Sequence, residues 1–301
     1  MATNITRVSA ANFIPTILAN SALEVLRAYI VMAQRVTKDS DIAPFSVGDT
    51  LNIPFPGTFV ANDKVANAPV TYQVPTGTTT SVVLNKHKET SFILEDVATA
   101  LANQSLMDRY MTAAVIPIAE QIETDIIGTY SQFTNTTGTS GTNLNFATLV
   151  ATRKLMNDNK VSKLNRFMLI SDKDEAALIT DPSLQAYFAY NQTQALTDGV
   201  IGNVAGFQLL PSQLVPVVAG TPNSTKNFAF DPGAVILAMR GLPAAPVGSG
   251  ANSSVVTDAV SGLTIRCTVA YNASLLGTQV TFDVLYGVAK LRNEKGVSVL
   301  S

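Results

Sequence analysis

The sequence predicts an α+β fold, with helices and strands segregated along the chain. Three stretches carry that expectation. The last fifth, through Gly262-Leu-Thr-Ile-Arg266, Tyr271-Asn-Ala and Phe282-Asp-Val-Leu-Tyr-Gly-Val, reads as consecutive strands that tie this end of the chain into a sheet and leave no room for a catalytic tail. From Glu95 to Phe133, Val97, Leu101, Tyr110, Ala114, Ile118, Ile122 and Ile126 recur at three- and four-residue steps, one apolar stripe on a helix. From Phe45 to Ser91 the chain is rich in Val, Thr, Gly and Pro and alternates as strands do.

Taken in order, the N-terminal segment begins polar and turns helical. Leu18, Ala22, Leu26 and Ile30 fall at i, i+4 spacing, with Asn20-Ser21 as the expected helix start. The segment reads as an arm that lies on something else. Leu51–Ile53, Val70–Val74 and Ser81–Leu84 are expected strands, and the flexible residues Gly57, Asn62, Asp63 and Asn67 mark the loose tip of a long two-stranded excursion. A lone hairpin is marginal in water, so support from a neighbouring subunit is expected. Pro117 should kink or divide the following helix. After a polar loop from Thr134, Asn145 is expected to cap a helix running to about Asp158. Arg166–Ser171 has the near-continuous apolar run of a central strand, and Asp172 is the expected cap of a helix over Asp174–Ile179. Phe207–Leu210, Asn227–Phe230 and Val235–Met239 are further strands, and Gly241–Asn252 is a Pro- and Gly-rich link to the closing strands.

Composition narrows the function classes. Of 301 residues, 47% are hydrophobic and only 14% charged, against roughly 25% charged in an average soluble domain. A surface so poor in charge is best protected by extensive protein–protein contact, because obligate interfaces are more apolar than free surfaces. No stretch approaches the roughly 18 uninterrupted apolar residues of a membrane-spanning helix, and the start has no secretory-signal pattern. With 20 Lys and Arg against 22 Asp and Glu, a net charge of −2 and no basic block, the chain does not read as a phosphate-backbone binder. The single cysteine, Cys267, sits in an alternating strand and reads as a buried, inert thiol.

No catalytic constellation emerges. His87 is the only histidine, so neither a multi-ligand metal site nor a paired nucleophile–histidine arrangement can be assembled around it in the usual way; it reads as a solvated or hairpin-base residue. Gly199, Gly202 and Gly206 are wrongly spaced for a phosphate loop and lead into a strand, so they read as turn residues. Glu120, Glu123 and Asp125 sit mostly off the apolar stripe, and a wet face or intersubunit partners are expected for them. Asp172, Asp174 and Glu175 suit a helix N-terminus. Neither an enzyme nor a cofactor is expected.

Several motifs together resemble one family. Ala119-Glu-Gln-Ile-Glu-Thr-Asp-Ile-Ile127 is similar to the acidic spine-helix motif of tailed-bacteriophage major capsid proteins. Asn203-Val-Ala-Gly-Phe207 with Pro211-Ser and Leu214-Val-Pro216 resembles their axial-domain turn and strand. Phe228–Arg240 resembles their central strand, and Phe282–Val288 their final one. The order of arm, excursion, long helix, α/β middle and closing strands resembles the Hong Kong 97-type capsid fold, in the podophage coat-protein-like branch without its large inserted domain.

The resemblance implies a division into an N-terminal arm (1–41), an extended loop (42–92), a peripheral domain with the spine helix (93–160 and 255–301) and an axial domain (161–254). It implies a structural major capsid protein that self-assembles into hexamers and pentamers of an icosahedral shell around double-stranded DNA, without sequence-specific binding and without a membrane. An encapsulin-like nanocompartment shell is the alternative within the fold, and a soluble α/β enzyme using the middle segment the alternative outside it. The implied partners are a scaffolding protein in trans, since the chain starts at the arm, a portal protein, and optionally a decoration or cement protein. The implied location is the virion capsid, with assembly in the host bacterial cytoplasm. Assembly contacts are expected from Phe55, Phe59, Lys64 and Tyr72 in the loop, Arg7 and Arg27 in the arm, and Arg240.

Overall fold

The computed structural model describes residues 13–39, 50–55, 57, 59–96, 106–185, 202–246, 248–257 and 262–301. Arg7, the helical positions Val97 and Leu101, and Gly199 lie outside the described residues, as does the side chain of Arg27. Mixed α and β elements build two sheets and a separate hairpin, the expected α+β class.

Helix α1 (Phe13–Tyr29) buries Leu18, Ala19, Ala22, Leu23 and Leu26, the stripe that the i, i+4 spacing marks. It begins well before Asn20-Ser21: both fall inside the helix, where packing of the flanking apolar residues outweighs their preference for a cap. The partners of that stripe are on the same chain. Helix α2 (Leu106–Ile127) and the apolar face of the larger sheet close over α1, so this part of the arm belongs to its own subunit's core. Helix α2 runs unbroken through Pro117. The proline and Ala113, whose carbonyl it leaves without an N–H, are both on the exposed side, where water supplies the bond. No helix among the described residues is long and apolar enough to cross a membrane.

The larger sheet is organised by one long strand. Strands β1 (Thr37–Asp39), β4 (Lys86–Glu95), β11 (Val235–Arg240), β12 (Ala251–Thr257), β13 (Thr264–Asn272) and β14 (Gly277–Lys290) compose it. One edge of β14 pairs with β4 over residues 277–286. Its other edge is shared, by β13 over 277–283 and by β11 over 285–290. β4 extends through Glu95, so the helical character expected from that residue starts later: the antiparallel ladder to β14 holds Leu94 and Glu95 in extended form.

The smaller sheet is buried on both faces, which explains the continuous apolar run of β6 (Phe167–Ile170). Phe167 and Leu169 face the main core, whereas Met168 and Ile170 face a second core under α3 (Phe146–Asp158) and α4 (Asp172–Thr180). β6 lies between β8 (Phe207–Pro211), parallel to it, and β10 (Ser224–Phe230), antiparallel. Phe228 and Phe230 stack at 5.5 Å, Phe133 packs on Phe228 at 5.0 Å, and Phe167 on Phe230 at 5.7 Å. β7 (Asn203–Val204) turns into β8 through Ala205 and Gly206, both at positive φ, the tight turn read from the glycines. The last strand, β15 (Gly296–Leu300), joins this sheet beside β10. Two short strands complete it, β5 (Thr136–Gly138) along β15 and β9 (Val217–Val218) at the start of β10. The closing segment therefore divides between two sheets, and β11 from the middle segment pairs with β14. Residues 161–254 and 255–301 are stitched together by these two exchanges.

Asn145 caps α3, its side chain accepting the Thr148 N–H at 2.9 Å, as expected. For α4 the cap is Ser171 in place of Asp172, and Asp174 is fully buried. The Asp174 carboxylate accepts hydrogen bonds from the Ser171 hydroxyl (2.8 Å), the Asn227 amide (2.6 Å), the Ser301 hydroxyl (2.7 Å) and the Leu144 N–H (3.1 Å). The carboxylate thus ties α4 to β10 and to the chain end, beyond the dipole role expected of it.

Candidate assembly interface

Strands β2 (Thr50–Phe55) and β3 (Thr78–Val83) form a two-stranded antiparallel hairpin whose base is packed and whose tip is not. Alternation puts Leu51, Ile53 and Val82 on one face, and that face rests on Ile236 and Ala238 of β11 and on Ala289 and Leu291. Gly287 on β14 makes the close approach possible. A Cβ there would lie 2.2 Å from the Val83 carbonyl oxygen.

Beyond the base, residues 59–77 form no strand. The alternating Val70–Val74 segment, expected as a strand, forms no backbone ladder among the described residues and stays irregular. Side-chain bonds order the tip instead. Gln73 accepts the Val60 N–H at 2.9 Å and donates to the Val60 carbonyl at 2.5 Å. The Lys64 ammonium donates to the carbonyls of Val65 (2.7 Å) and Ala68, around Asn67 at positive φ. The tip therefore keeps a shape while presenting Phe59 (66% exposed), Val60, Val65 and Tyr72 (88%) outward, with Val74 exposed nearer the base. Exposed apolar side chains of this kind make the excursion a candidate contact surface.

A cleft of about 530 Å3 lies where the hairpin leaves the body, between Phe55, Gly57, Val74, Pro75, Thr76 and the 291–294 turn. Its floor is a cation–π contact: the Arg292 guanidinium sits 4.8 Å from the centre of the Phe55 ring.

The strand beneath the hairpin is pinned by charge. On the core side, Asp125 of α2 accepts from Lys86 (2.8 Å) and from the Tyr286 hydroxyl (2.6 Å). Burial pushes the Asp125 carboxyl up, but Lys86 and Tyr286 outweigh it and hold the group below its ordinary value. Burial, then the bond to Asp125, drives the Tyr286 phenol well up. On the opposite face Asp283, nearly fully buried, is gripped by Arg266 through Nε (2.9 Å) and a terminal nitrogen (2.5 Å), and His87 Nε2 lies 2.9 Å from it. His87 is thus a hairpin-base residue, half exposed. Cys267 is buried beside this group; desolvation first, then the Asp283 charge, pushes its thiol up to about 12, an inert form. Among the described residues no three His, Cys, Asp or Glu side chains converge as metal ligands would.

Of the residues expected at contacts, Phe59, Lys64 and Tyr72 gather at the hairpin tip. Phe55 lies at its base and is engaged by Arg292 of the same chain. Arg240 is separate, half-buried at the end of β11 opposite Leu285. Sequence reasoning passed over Gly287 and Arg292. The signal for Gly287 was a glycine inside an otherwise apolar strand, which marks close backbone approach. Arg292 had none, because its partner Phe55 is far away in sequence.

A family model described as phage capsid protein matches residues 80–244, more than half of the chain. Among solved structures, a chain from Mycobacterium phage Che8 superposes with a TM-score of 0.64 at 15% identity, covering 90% of each chain. A chain from the capsid of cyanophage P-SCSP1u gives 0.66 at 12% identity, over 90% of this chain and 87% of that one. An encapsulin from Synechococcus elongatus gives 0.52 at 12% identity, over 88% and 84%. No curated protein matches by sequence. With the Hong Kong 97-type fold of its structural neighbours and the family match across its centre, the chain belongs to the phage capsid protein family.

Proposed function

We propose that this capsid protein builds its shell through the hairpin. Copies gather into hexamers and pentamers around the α/β middle (161–254, with β15 inserted), and each 42–92 loop lies over a neighbour. The N-terminal arm (1–41) and the peripheral domain (93–160 and 255–301) frame that contact, and Phe59, Lys64 and Tyr72 at the tip are its contact residues. The observation that carries this reading is the ordered, apolar and outward-facing tip on a rigidly packed base. An exposed aromatic such as Tyr72, beside Phe59 and Val60, is the kind of apolar surface that a neighbouring copy would cover.

The shell encloses double-stranded DNA in the virion. A near-neutral chain suits an inner wall that must contain DNA without adhering to it. Assembly takes place in the host cytoplasm with a scaffolding protein in trans, with a portal protein at one vertex and, where present, a decoration protein outside. The test is electron microscopy of the purified chain with and without a co-expressed candidate scaffold. Closed shells or capsomer rings from the wild type, and their loss in Phe59→Ser/Tyr72→Ser, are the expected result. Monomers under every condition overturn the reading.

A further inference from the structure

Cations are concentrated where α3 runs into β6. Residues 153–166 carry five Lys or Arg and one Asp, in a chain whose net charge is −2. That Asp158 is paired with Lys154 at 3.1 Å. Arg153, Lys160 and Lys163 are exposed and form no ion pair among the described residues. Arg153 lies against the β7–β8 turn, where a Cβ on Gly206 would stand 3.7 Å from the central guanidinium carbon.

The loop between α3 and β6 is built around a buried cation. Arg166, 3% exposed, donates through Nε to the Ser162 carbonyl at 2.7 Å. One of its terminal nitrogens donates to the Val161 carbonyl (2.8 Å) and the Asn157 side-chain oxygen (2.9 Å). All three acceptors are neutral. Asp231 favours the Arg166 charge electrostatically but is itself bonded by Lys295 at 2.6 Å. Burial, and after it the charge of Arg153, disfavours the Arg166 cation. Two neighbouring guanidiniums, one of them buried, thus lack a carboxylate partner, an arrangement that is costly within the subunit. The loop they support is ordered. The Val161 N–H donates to the Met156 carbonyl at 3.0 Å and the Leu164 N–H to the Ser162 hydroxyl at 3.2 Å. Beside Lys163 it presents Leu164, 75% exposed.

We propose that the α3–β6 loop and the adjoining end of α3 are a docking surface for an acidic segment of another protein, one that sets an apolar side chain among its carboxylates. Charge complementarity fixes the sign of the partner. A carboxylate can take two parallel hydrogen bonds from Arg153, and acidic groups over the loop would offset the Arg166 charge beneath it. Leu164 fixes the kind of partner. A phosphate backbone is held by charged and polar groups and gains nothing from a leucine, whereas a peptide can cover it with an apolar residue. The surface belongs to the second core and not to the hairpin base, so it does not depend on which contact joins the subunits.

The test uses dissociated subunits of the full chain and a labelled peptide of repeated Glu-Glu-Leu. The peptide should bind, and raising the salt from about 50 to about 200 mM should weaken binding severalfold. Arg153→Glu combined with Lys163→Glu should weaken it at least about tenfold, and Leu164→Ser about fivefold. All three replaced residues are exposed, so the Tm should not move. Arg166 is left in place because it holds the loop. A duplex oligonucleotide that binds as tightly as the peptide and is indifferent to Leu164→Ser assigns the surface to phosphate and overturns the inference. Charge-reversed subunits that no longer assemble, with no peptide bound by the wild type, assign it to another copy and also overturn it, as does the absence of any binding. The shell reading survives each of these outcomes, and wild-type subunits that bind the peptide but form no capsomers would leave the docking surface standing without it.

Discussion

The carboxylate of Glu123, near the C-terminal end of α2, accepts the backbone N–H of Ala33 at 2.9 Å, with the Met32 N–H on its other oxygen at 3.0 Å. The two donors lie just past α1, in the turn that carries the chain to β1. One acidic side chain, 2% exposed, thus fixes where the arm enters the larger sheet. The expected wet face is correct for Glu120 but not for Glu123, which the spine helix turns inward toward this break in backbone pairing.

Removing that acceptor should be costly. Glu123→Ala leaves two buried N–H groups without partners, each worth about 1–3 kcal/mol, so urea unfolding should show a loss of about 2–5 kcal/mol. Glu123→Gln keeps one acceptor oxygen but turns an amide N–H toward the other donor, and should fall between wild type and alanine.

The same group sets a pH dependence. Desolvation raises the Glu123 carboxyl above its ordinary value, and the N–H groups of Ala33, Met32 and Val31 pull it back only in part. A carboxyl raised in the folded state binds its proton more tightly there than in the unfolded chain. Its contribution is therefore fully present below the unfolded value of about 4.3 and is lost as pH rises through the folded value. The difference in unfolding free energy between wild type and Glu123→Gln should shrink across that window. A difference independent of pH would show that the carboxyl ionises in the fold as it does in solution.

Across the sheet, Asp283 depends on Arg266. Asp283 is buried and Arg266 mostly so, and His87 is too exposed to replace the guanidinium. Arg266→Met should destabilise by about 3 kcal/mol, the penalty of an uncompensated buried charge. His87→Ala should change stability by less than about 1 kcal/mol. Equal losses from the two variants would mean that the imidazole carries the charge balance.

Much of this was legible beforehand, for reasons that differ by element. The stripe from Ala114 to Ile126 and the run Phe167–Ile170 declare themselves because local periodicity and burial coincide, whereas Tyr110, one turn earlier on the same stripe, is exposed. The capsid architecture was legible through the order of weak motifs. Glu123 and Asp174 were misjudged because their partners, Ala33 and Ser301, are remote in sequence, and a carboxylate that satisfies backbone donors looks the same in sequence as a solvated one. The start of α1 was misplaced where tertiary packing overrode the local signal at Ser21, and Pro117 does not divide α2 because it lies on the exposed side of the helix. At the hairpin tip, alternation alone suggested a strand at Val70–Val74, but a strand also needs a ladder partner.

The hairpin base offers the most direct link between packing and assembly. Gly287→Ala would drive a methyl group into the Val83 carbonyl, with no flexible side chain available to yield. The main core lies on the other face of β14, so the strain should displace the hairpin and leave the body folded. Unfolding free energy should drop by about 1–3 kcal/mol, and hydrogen exchange should quicken in residues 50–55 and 78–83 while α2 and β6 keep their protection. If the hairpin positions the tip for a neighbour, this variant should also assemble poorly although Phe59 and Tyr72 are intact. Normal assembly combined with fast exchange in the hairpin would show that the tip finds its neighbour without a rigid base.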